Sequence, residues 1–167
     1  MAELTPQERL QPALLDRLTD DDRNQTVESR DQRVLSMQRL RAALLRDLAW
    51  LLNTGHLQTG EDLLDYPAAG RSVLHFGIPD LSGLTVSSLD LIASEKAVRQ
   101  AIVDFEPRIA PRTLRVSVQA KGPTNARSAV VFRIEGELWA KPSSQPLYLK
   151  TEVDLETGDV TVTDGQA

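Results

Sequence analysis

The chain carries few of the residues that usually perform catalysis. Its two histidines, His56 and His75, are far apart in sequence and have no flanking acidic pattern, so they match no metal-ligand spacing. No cysteine is present, which excludes disulfide scaffolds and thiol nucleophiles. No serine lies in a nucleophile-elbow pattern, and Gly77 and Gly83 are isolated rather than part of a phosphate-binding loop. We therefore predict no catalytic residue, no metal site and no cofactor.

One pair of carboxylates has a spacing that acid–base chemistry could use. Glu135 and Glu137 fall on one face of an extended strand, about 6–7 Å apart, which is within the separations found in glycosidases. Such pairs are far more common on the solvent side of a hairpin, where nothing sets their pKa values apart. The sequence favours that interpretation, and a peptidoglycan-cleaving, lysozyme-like enzyme using Glu135 or Glu106 is the alternative hypothesis.

Composition and charge predict one globular domain that binds neither membrane nor nucleic acid. The 167 residues suffice for a single core with a short appendage. The longest apolar run, residues 48–52, is far shorter than the ~20 residues of a membrane span, and no signal-peptide pattern opens the chain. Residues 96–150 hold ten Lys or Arg against four Asp or Glu, but only 4% of the chain is aromatic, too little for nucleic-acid stacking platforms. We expect a cytoplasmic protein without direct membrane insertion.

Residues 1–29 are predicted to form an appendage to the domain of residues 30–167. A Thr-Pro start signal and helical spacing of apolar residues predict a short amphipathic helix. A run of acidic residues then interrupts the pattern, and residues 19–29 are interpreted as a linker. The apolar residues of this helix are Leu14, Leu15 and Leu18.

Two longer helices are predicted by apolar residues at intervals of three and four. The first extends from Arg30 to Asn53 and ends in a left-handed cap at Gly55. The second begins at a cap on Ser94 and ends near Phe105, before a proline that cannot continue the helix.

The rest of the domain is predicted to be a sheet. Residues 54–93 are rich in turn formers and hold one predicted short strand at 72–76. After the second helix the apolar period changes to two, and the final hairpin is predicted to turn at Gly158 with a positive φ. The predicted fold is α+β, an antiparallel meander covered by two amphipathic helices, with an N-terminal helical appendage. Its strands are predicted at 114–119, 130–139, 147–155 and 160–162.

A short motif lies where the second helix meets the first strand: Phe105-Glu106-Pro107-Arg108-Ile109. Pro107 is expected to end the helix, the two apolar residues to enter the core, and Glu106 and Arg108 to pair locally. An exposed pair of this kind contributes only about 0–1 kcal/mol. Burial against a partner would make it more important.

This motif and the strand after it resemble the Glu-Pro-Arg signature of the TssE and contractile-phage baseplate-wedge family. Three other stretches agree in the same order: residues 12–18 resemble the family's N-terminal segment, residues 72–80 its short strand and turn, and the terminal hairpin its closing strands. Residues 84–93 and the linker depart from the family pattern.

The resemblance implies a structural component of a type VI secretion system baseplate, and not an enzyme. Such a wedge subunit works with TssF, TssG and TssK at the cytoplasmic face of the inner membrane complex. It offers strands on which the sheath proteins TssB and TssC begin to polymerise, and an unpaired sheet edge suits that role because its backbone groups are a template for strand addition. A regulatory adaptor of the same fold is a further alternative, by fold analogy only.

We expect the partner-binding residues to form three groups. They are the motif residues Glu106, Pro107 and Arg108, the helix residues Leu14, Leu15 and Leu18, and the strand residues Arg133, Glu135 and Trp139.

Overall fold

Three α-helices and four β-strands make up the part of the chain that the computed structural model describes, residues 14–19, 37–59, 63, 65–121, 129–139 and 144–165. The helices are α1 (Leu14–Leu18), α2 (Met37–Leu52) and α3 (Leu91–Phe105). The strands are β1 (Arg115–Lys121), β2 (Ala129–Leu138), β3 (Gln145–Asp154) and β4 (Val160–Asp164). None of the described helices is long and apolar enough to cross a membrane.

The four strands form one antiparallel sheet in the order β1-β2-β3-β4. β2 and β3 pair over ten positions, β1 and β2 over seven, and β3 and β4 over five. Gly158 turns the last hairpin with a φ of 81°, as predicted. Every strand therefore lies beside its neighbour in sequence, and the predicted meander is confirmed.

The helices α2 and α3 cover one face of this sheet, α2 toward β4 and α3 toward β1. Their buried stripes are the ones that helical periodicity predicts, and they meet the inward residues of the strands. Each fully buried aliphatic or aromatic side chain stabilises the fold by about 1.5–3 kcal/mol. The predicted α+β class is thus confirmed. The largest fully buried side chains include Leu44, Leu48, Leu51, Ile102, Phe132, Ile134 and Leu147.

The predicted left-handed cap at Gly55 is wrong. Gly55 has no positive φ and instead forms a parallel bridge with Ile78. The amide of Ile78 donates to Thr54 O at 2.9 Å, and the amide of His56 donates to Ile78 O at 3.0 Å. The chain leaves α2 in an extended form because its backbone groups find these partners across the loop.

The short strand predicted at residues 72–76 is also wrong, since residues Val73–His75 form a 3-10 turn. The hydroxyl of Ser72 accepts a hydrogen bond from the amide of Leu74 at 3.3 Å. A serine that bonds its own backbone in this way competes with strand pairing.

The second predicted helix begins earlier than expected. Asp90, not Ser94, is its N-cap, because a carboxylate oxygen of Asp90 accepts from the amide of Ala93 at 2.9 Å. A carboxylate at this position also interacts favourably with the helix dipole. Ser94 is buried within the helix and donates its hydroxyl to Asp90 O. The predicted end at Phe105 is confirmed.

At the N-terminal end, α1 supplies part of the predicted short helix. The predicted helix start at Thr5, the linker from residue 20 onward and the predicted beginning of the long helix at residues 30–36 lie outside the described residues.

Candidate functional site

The motif Glu106-Pro107-Arg108, called the corner from here on, joins α3 to the sheet. Glu106 is the C-cap of α3, and its amide donates to Ile102 O. Pro107 cannot continue the helix, so the chain turns away at this point. Of the three residues Pro107 is exposed, Arg108 is half-buried and Glu106 is buried.

The corner is fastened to the end of β2 by a short antiparallel bridge between Ile109 and Leu138. The amide of Trp139 donates to Arg108 O at 2.7 Å, and the amide of Ala110 donates to Glu137 O at 3.0 Å. Ile109 itself is only 1% exposed. The position of the corner is therefore set by backbone pairing and by core packing together.

The side chains of Glu106 and Arg108 form a closely hydrogen-bonded pair. Oε1 of Glu106 accepts from the backbone amide of Arg108 at 3.1 Å and from its Nε at 2.7 Å, while Oε2 accepts from Nη2 at 2.5 Å. The side chain of Glu106 is 4% exposed and that of Arg108 is 21% exposed. The pair that the sequence predicted is confirmed, and its acidic member is buried within its own chain.

The pair continues into a longer ladder of alternating charges. Nη2 of Arg108 also donates to Oδ2 of Asp47 on α2 at 2.7 Å. Nε of Arg46 donates to Oδ1 of Asp47 at 3.0 Å, and Nη1 of Arg46 donates to Oδ1 of Asp16 on α1 at 2.5 Å. We call Glu106, Arg108, Asp47, Arg46 and Asp16 the ion-pair ladder. It connects the corner, α2 and α1 through side chains.

The ladder stabilises the charged form of Arg108. Burial by itself lowers the pKa of Arg108, but the hydrogen bonds and negative charges of Glu106 and Asp47 outweigh it and raise the pKa above its ordinary value. The Nη1 atom of Arg108 is buried and has no hydrogen-bond partner among the described residues. Arg108 therefore retains one buried donor for which the described part of the chain supplies no acceptor.

Two exposed tryptophans lie beside the ladder. The guanidinium of Arg46 lies 5.5 Å from the ring centroid of Trp50, which is 53% exposed. Trp139, directly after β2, is bonded through its amide to the corner and is 57% exposed. Tryptophan and arginine dominate the binding energy of many protein interfaces.

The other expected partner-binding residues are placed as follows. On α1, Leu15 is 41% and Leu18 is 74% exposed, and Leu14 is the first residue of the helix. Arg133 and Glu135 are exposed on the open face of β2, outside the ladder. Of the expected residues outside the corner, Trp139 is thus brought next to it. Asp16, which sequence reasoning missed, connects α1 to the rest of the ion-pair ladder through Arg46.

The missed residues Asp16, Arg46 and Asp47 carry the ladder away from the corner. A signal for two of them is present, because Arg46 and Asp47 are the only charged residues in the otherwise apolar stretch 42–52. Charges within such a stretch are tolerated when they are paired. Their partner Arg108 is 61 positions away from Asp47, so local pattern could not identify it.

The two histidines form a stacked pair and not a ligand set. The rings of His56 and His75 have centroids 4.4 Å apart and an interplanar angle of 21°. Across the described ranges no three His, Cys, Asp or Glu side chains are grouped so as to hold a metal ion.

Comparison with protein-family models matches residues 38–143 to the family described as baseplate wedge protein gp25. No curated protein and no solved structure matches the chain. The matched range begins within α2, ends after β2, and includes Arg46, Asp47 and the whole corner. This range is well over half of the sequence and agrees with the resemblance carried by the Glu-Pro-Arg motif. The chain belongs to the baseplate wedge protein gp25 family, whose members are structural components of contractile baseplates.

Proposed function

We propose that this chain is the TssE-type wedge subunit of a type VI secretion system baseplate and helps to start polymerisation of the contractile sheath. The family match supports the baseplate role, which entails contacts with other baseplate subunits. The sheath role is supported by the open-ended antiparallel sheet, because an edge strand offers backbone groups to an incoming strand. TssB and TssC are the proposed sources of that strand, at the cytoplasmic face of the inner membrane complex.

The corner, with Trp139 beside it and Trp50 beside Arg46 of the ion-pair ladder, is the proposed contact with the baseplate subunits TssF, TssG and TssK. It combines exposed Trp50 and Trp139 with a backbone fixed by the Ile109–Leu138 bridge. Exposed aromatic residues on a rigid support bind at little cost in conformational entropy. α1 presents Leu15 and Leu18 to a second wedge subunit. On the open face of β2, Arg133 and Glu135 contact the parts of the sheath subunit next to the strand it adds.

We also propose that the chain has no enzyme activity. Both carboxylate oxygens of Glu106 accept hydrogen bonds from Arg108, so this carboxylate is engaged in the fold. Glu135 and Glu137 are both exposed on β2, where solvent screens them alike. A peptidoglycan turbidity assay across pH is expected to show no clearing, and clearing that Glu135→Gln abolishes would contradict the proposal.

The test of the corner uses exposed residues, because a charge reversal at Glu106 would also damage the fold. Trp139→Ala and Trp50→Ala are each introduced into the full-length chain, with Tyr66→Ala, an exposed aromatic residue at 65%, as the matched control. Co-purification with TssF and TssG is expected to fall at least tenfold for the tryptophan variants and to stay unchanged for the control.

Thermal unfolding of each variant separates loss of contact from loss of fold. Normal co-purification of both tryptophan variants would rule out the corner as the contact surface. Failure of the wild-type chain to co-purify with any baseplate subunit, together with tight binding to an unrelated soluble protein, would favour the adaptor alternative.

A further inference from the structure

The edge of the sheet at β4 is already occupied by a side chain. The side-chain Nδ2 of Asn53, just after α2, donates to Val160 O at 2.8 Å, and Oδ1 of Asn53 accepts from the backbone amide of Val160 at 2.8 Å. These are the two bonds that an added strand would form with Val160. Asn53 therefore replaces a neighbouring strand at the first residue of β4.

The remaining outward positions of β4 follow from the alternating hydrogen bonds between β3 and β4. Asp159 O accepts from Asp154, and the amide of Gly165 donates to Tyr148 O, so these residues face β3. Since alternate residues of an edge strand point their backbone groups in opposite directions, Val160, Val162 and Asp164 point away from β3. They are the whole outward edge of this five-residue strand.

The far end of β4 is tied to α2 by the side chain of Arg41. Nε and Nη2 of Arg41 on α2 donate to the carboxylate of Asp164 at 2.6 and 2.5 Å. Nη1 of Arg41 donates to Pro146 O at 3.4 Å, on the stretch of β3 that extends past β4. Pro146 has no amide hydrogen to offer to another strand. Asn53 thus satisfies the backbone of Val160, and the guanidinium of Arg41 lies against the side chain of Asp164, whereas Val162 receives no bond from α2 in the described part of the chain.

The opposite edge has no such cover. β1 is seven residues long, and within the described ranges no hydrogen bond from a loop or helix reaches its backbone on the side away from β2. α3 packs against β1, and Val116 is buried there. The exposed side chains Arg115, Ser117, Gln119 and Lys121 alternate with the inward ones.

We propose that the sheet accepts a partner strand along β1 only, and that Asn53 and Arg41 close the β4 edge. This rests on the proposed function, in which the strand belongs to a sheath subunit. The charged residues of β1 indicate which partner strand would pair with it. β1 has no acidic residue, and Lys121 is paired with Glu152 while Arg115 has no ion pair among the described residues. The matching strand carries an acidic residue opposite Arg115 and an apolar one beside Val116.

Proline substitutions test the edge because proline removes one backbone donor and is tolerated only where that donor faces outward. Gln119 and Ala120 are both exposed, so neither substitution removes a core side chain. Because they are adjacent on the strand, the backbone donor of one faces outward and that of the other faces β2. Gln119→Pro and Ala120→Pro are made in the full-length chain, with Val162→Pro as the β4 control. Thermal unfolding identifies the β1 variant that keeps its fold. Assembly of purified TssB and TssC on the baseplate is the readout.

We expect the folded β1 variant to reduce the number of assembled sheaths at least tenfold and Val162→Pro to change it less than twofold. A loss of assembled sheaths with Val162→Pro alone, or with both variants, overturns the proposal of a single edge. The proposed role in sheath initiation would survive that result. No loss with either variant overturns strand addition itself. In that case, normal co-purification with TssF and TssG would still support the baseplate role.

Amide hydrogen exchange provides a second measurement that needs no variant. In the wild-type chain bound to the purified sheath pair, alternate amides of β1 are expected to exchange at least tenfold more slowly than in the chain alone. The amide of Val162 is expected to change less than twofold. Slowing at Val162 and not in β1 overturns the proposal, as does slowing in β1 caused by self-association of the chain alone.

Discussion

At the scale of single residues, the corner is first of all part of the fold. Glu106 is almost completely buried, and its carboxylate is bonded to Arg108 at both oxygens. Removing one member of a buried ion pair leaves the other charge without compensation, which is strongly destabilising. A substitution here therefore tests stability before it tests any contact with another subunit.

We expect Glu106→Gln to lower the free energy of unfolding by about 2–4 kcal/mol, because Arg108 then retains only Asp47 as an acidic partner. Urea denaturation measures the change. Glu135→Gln is the control, since Glu135 is exposed and its substitution is expected to change stability by less than about 0.5 kcal/mol. Equal, small effects of the two variants would mean that the ladder contributes nothing to stability.

Gly77 is required by the close approach of two chain segments. Its φ is 128°, and a Cβ at this position would lie 2.3 Å from Thr54 O. We expect Gly77→Ala to destabilise the fold by at least about 2 kcal/mol in thermal or chemical unfolding. Gly55 pairs across the same bridge with no atom within 4 Å of its Cβ position, so Gly55→Ala is expected to be neutral or slightly stabilising. A larger loss of stability for Gly55→Ala than for Gly77→Ala would contradict this description of the bridge.

Thr151 carries a polar atom in the core without a partner. It is 1% exposed, and its hydroxyl oxygen has no hydrogen bond within the described part of the chain. Thr151→Val removes an unsatisfied polar group at nearly constant shape, and we expect it to stabilise the fold by about 1 kcal/mol. Thr161→Val on exposed β4 is the control, and urea denaturation of both variants makes the comparison. Destabilisation by Thr151→Val would show that the hydroxyl has a partner in solution.

At the scale of elements, α2 and β4 are joined by one side chain. Asn53 makes both hydrogen bonds to the backbone of Val160. We expect Asn53→Ala to lower the free energy of unfolding by about 1–3 kcal/mol and to speed exchange of the Val160 amide. Thr54→Ala is the matched control at the same helix end, because the Thr54 hydroxyl bonds to Trp50 O within the same helix end and, among the described residues, to nothing on β4. Unchanged exchange at Val160 would mean that another group protects that edge.

Most elements could be predicted because their signal lies within the element. The leucines of α2 recur at helical spacing and are buried, and the alternation along β2 gives its core face directly. Pro107 could be predicted to end α3 since its effect is local. The corner could be found as a motif for the same reason.

The errors arise where a distant or competing partner decides the structure. Gly55 was expected to cap α2, but Ile78 provides backbone partners that only the folded chain brings near. Ser72 prefers to bond its own turn, and Asp90 takes the cap position expected for Ser94. The ladder beyond the corner could not be predicted, because Asp47 and Arg108 meet only through the packing of α2 against the corner.

At the scale of the whole molecule, stability is expected to depend on pH through His75. Burial and, to a smaller extent, the charge of His56 lower the pKa of His75, while Asp104 opposes them. In the unfolded chain His75 binds a proton near its ordinary pKa of 6.5, whereas in the folded chain it binds that proton only at lower pH. The contribution of His75 is fully present above pH 6.5 and is lost as the pH falls below it.

We therefore expect the free energy of unfolding to fall as the pH drops below about 6.5, before the range in which carboxylates titrate is reached. His75→Gln is expected to flatten this part of the profile, because the variant has no proton to bind there. Urea denaturation at several pH values measures both profiles. An equally steep decline in the variant would assign the pH dependence to other groups.

The perpendicular hydrogen bonds of the antiparallel ladder have a mechanical consequence for a contractile machine. Tension along β1 strains all its bonds to β2 together, whereas tension across the sheet opens them one after another. β1 is paired with β2 at seven positions, and the Ile109–Leu138 bridge continues that attachment toward α3. A partner that pulls lengthwise on this edge therefore meets the sheet in its strongest direction, and force passes through the corner into the helical layer.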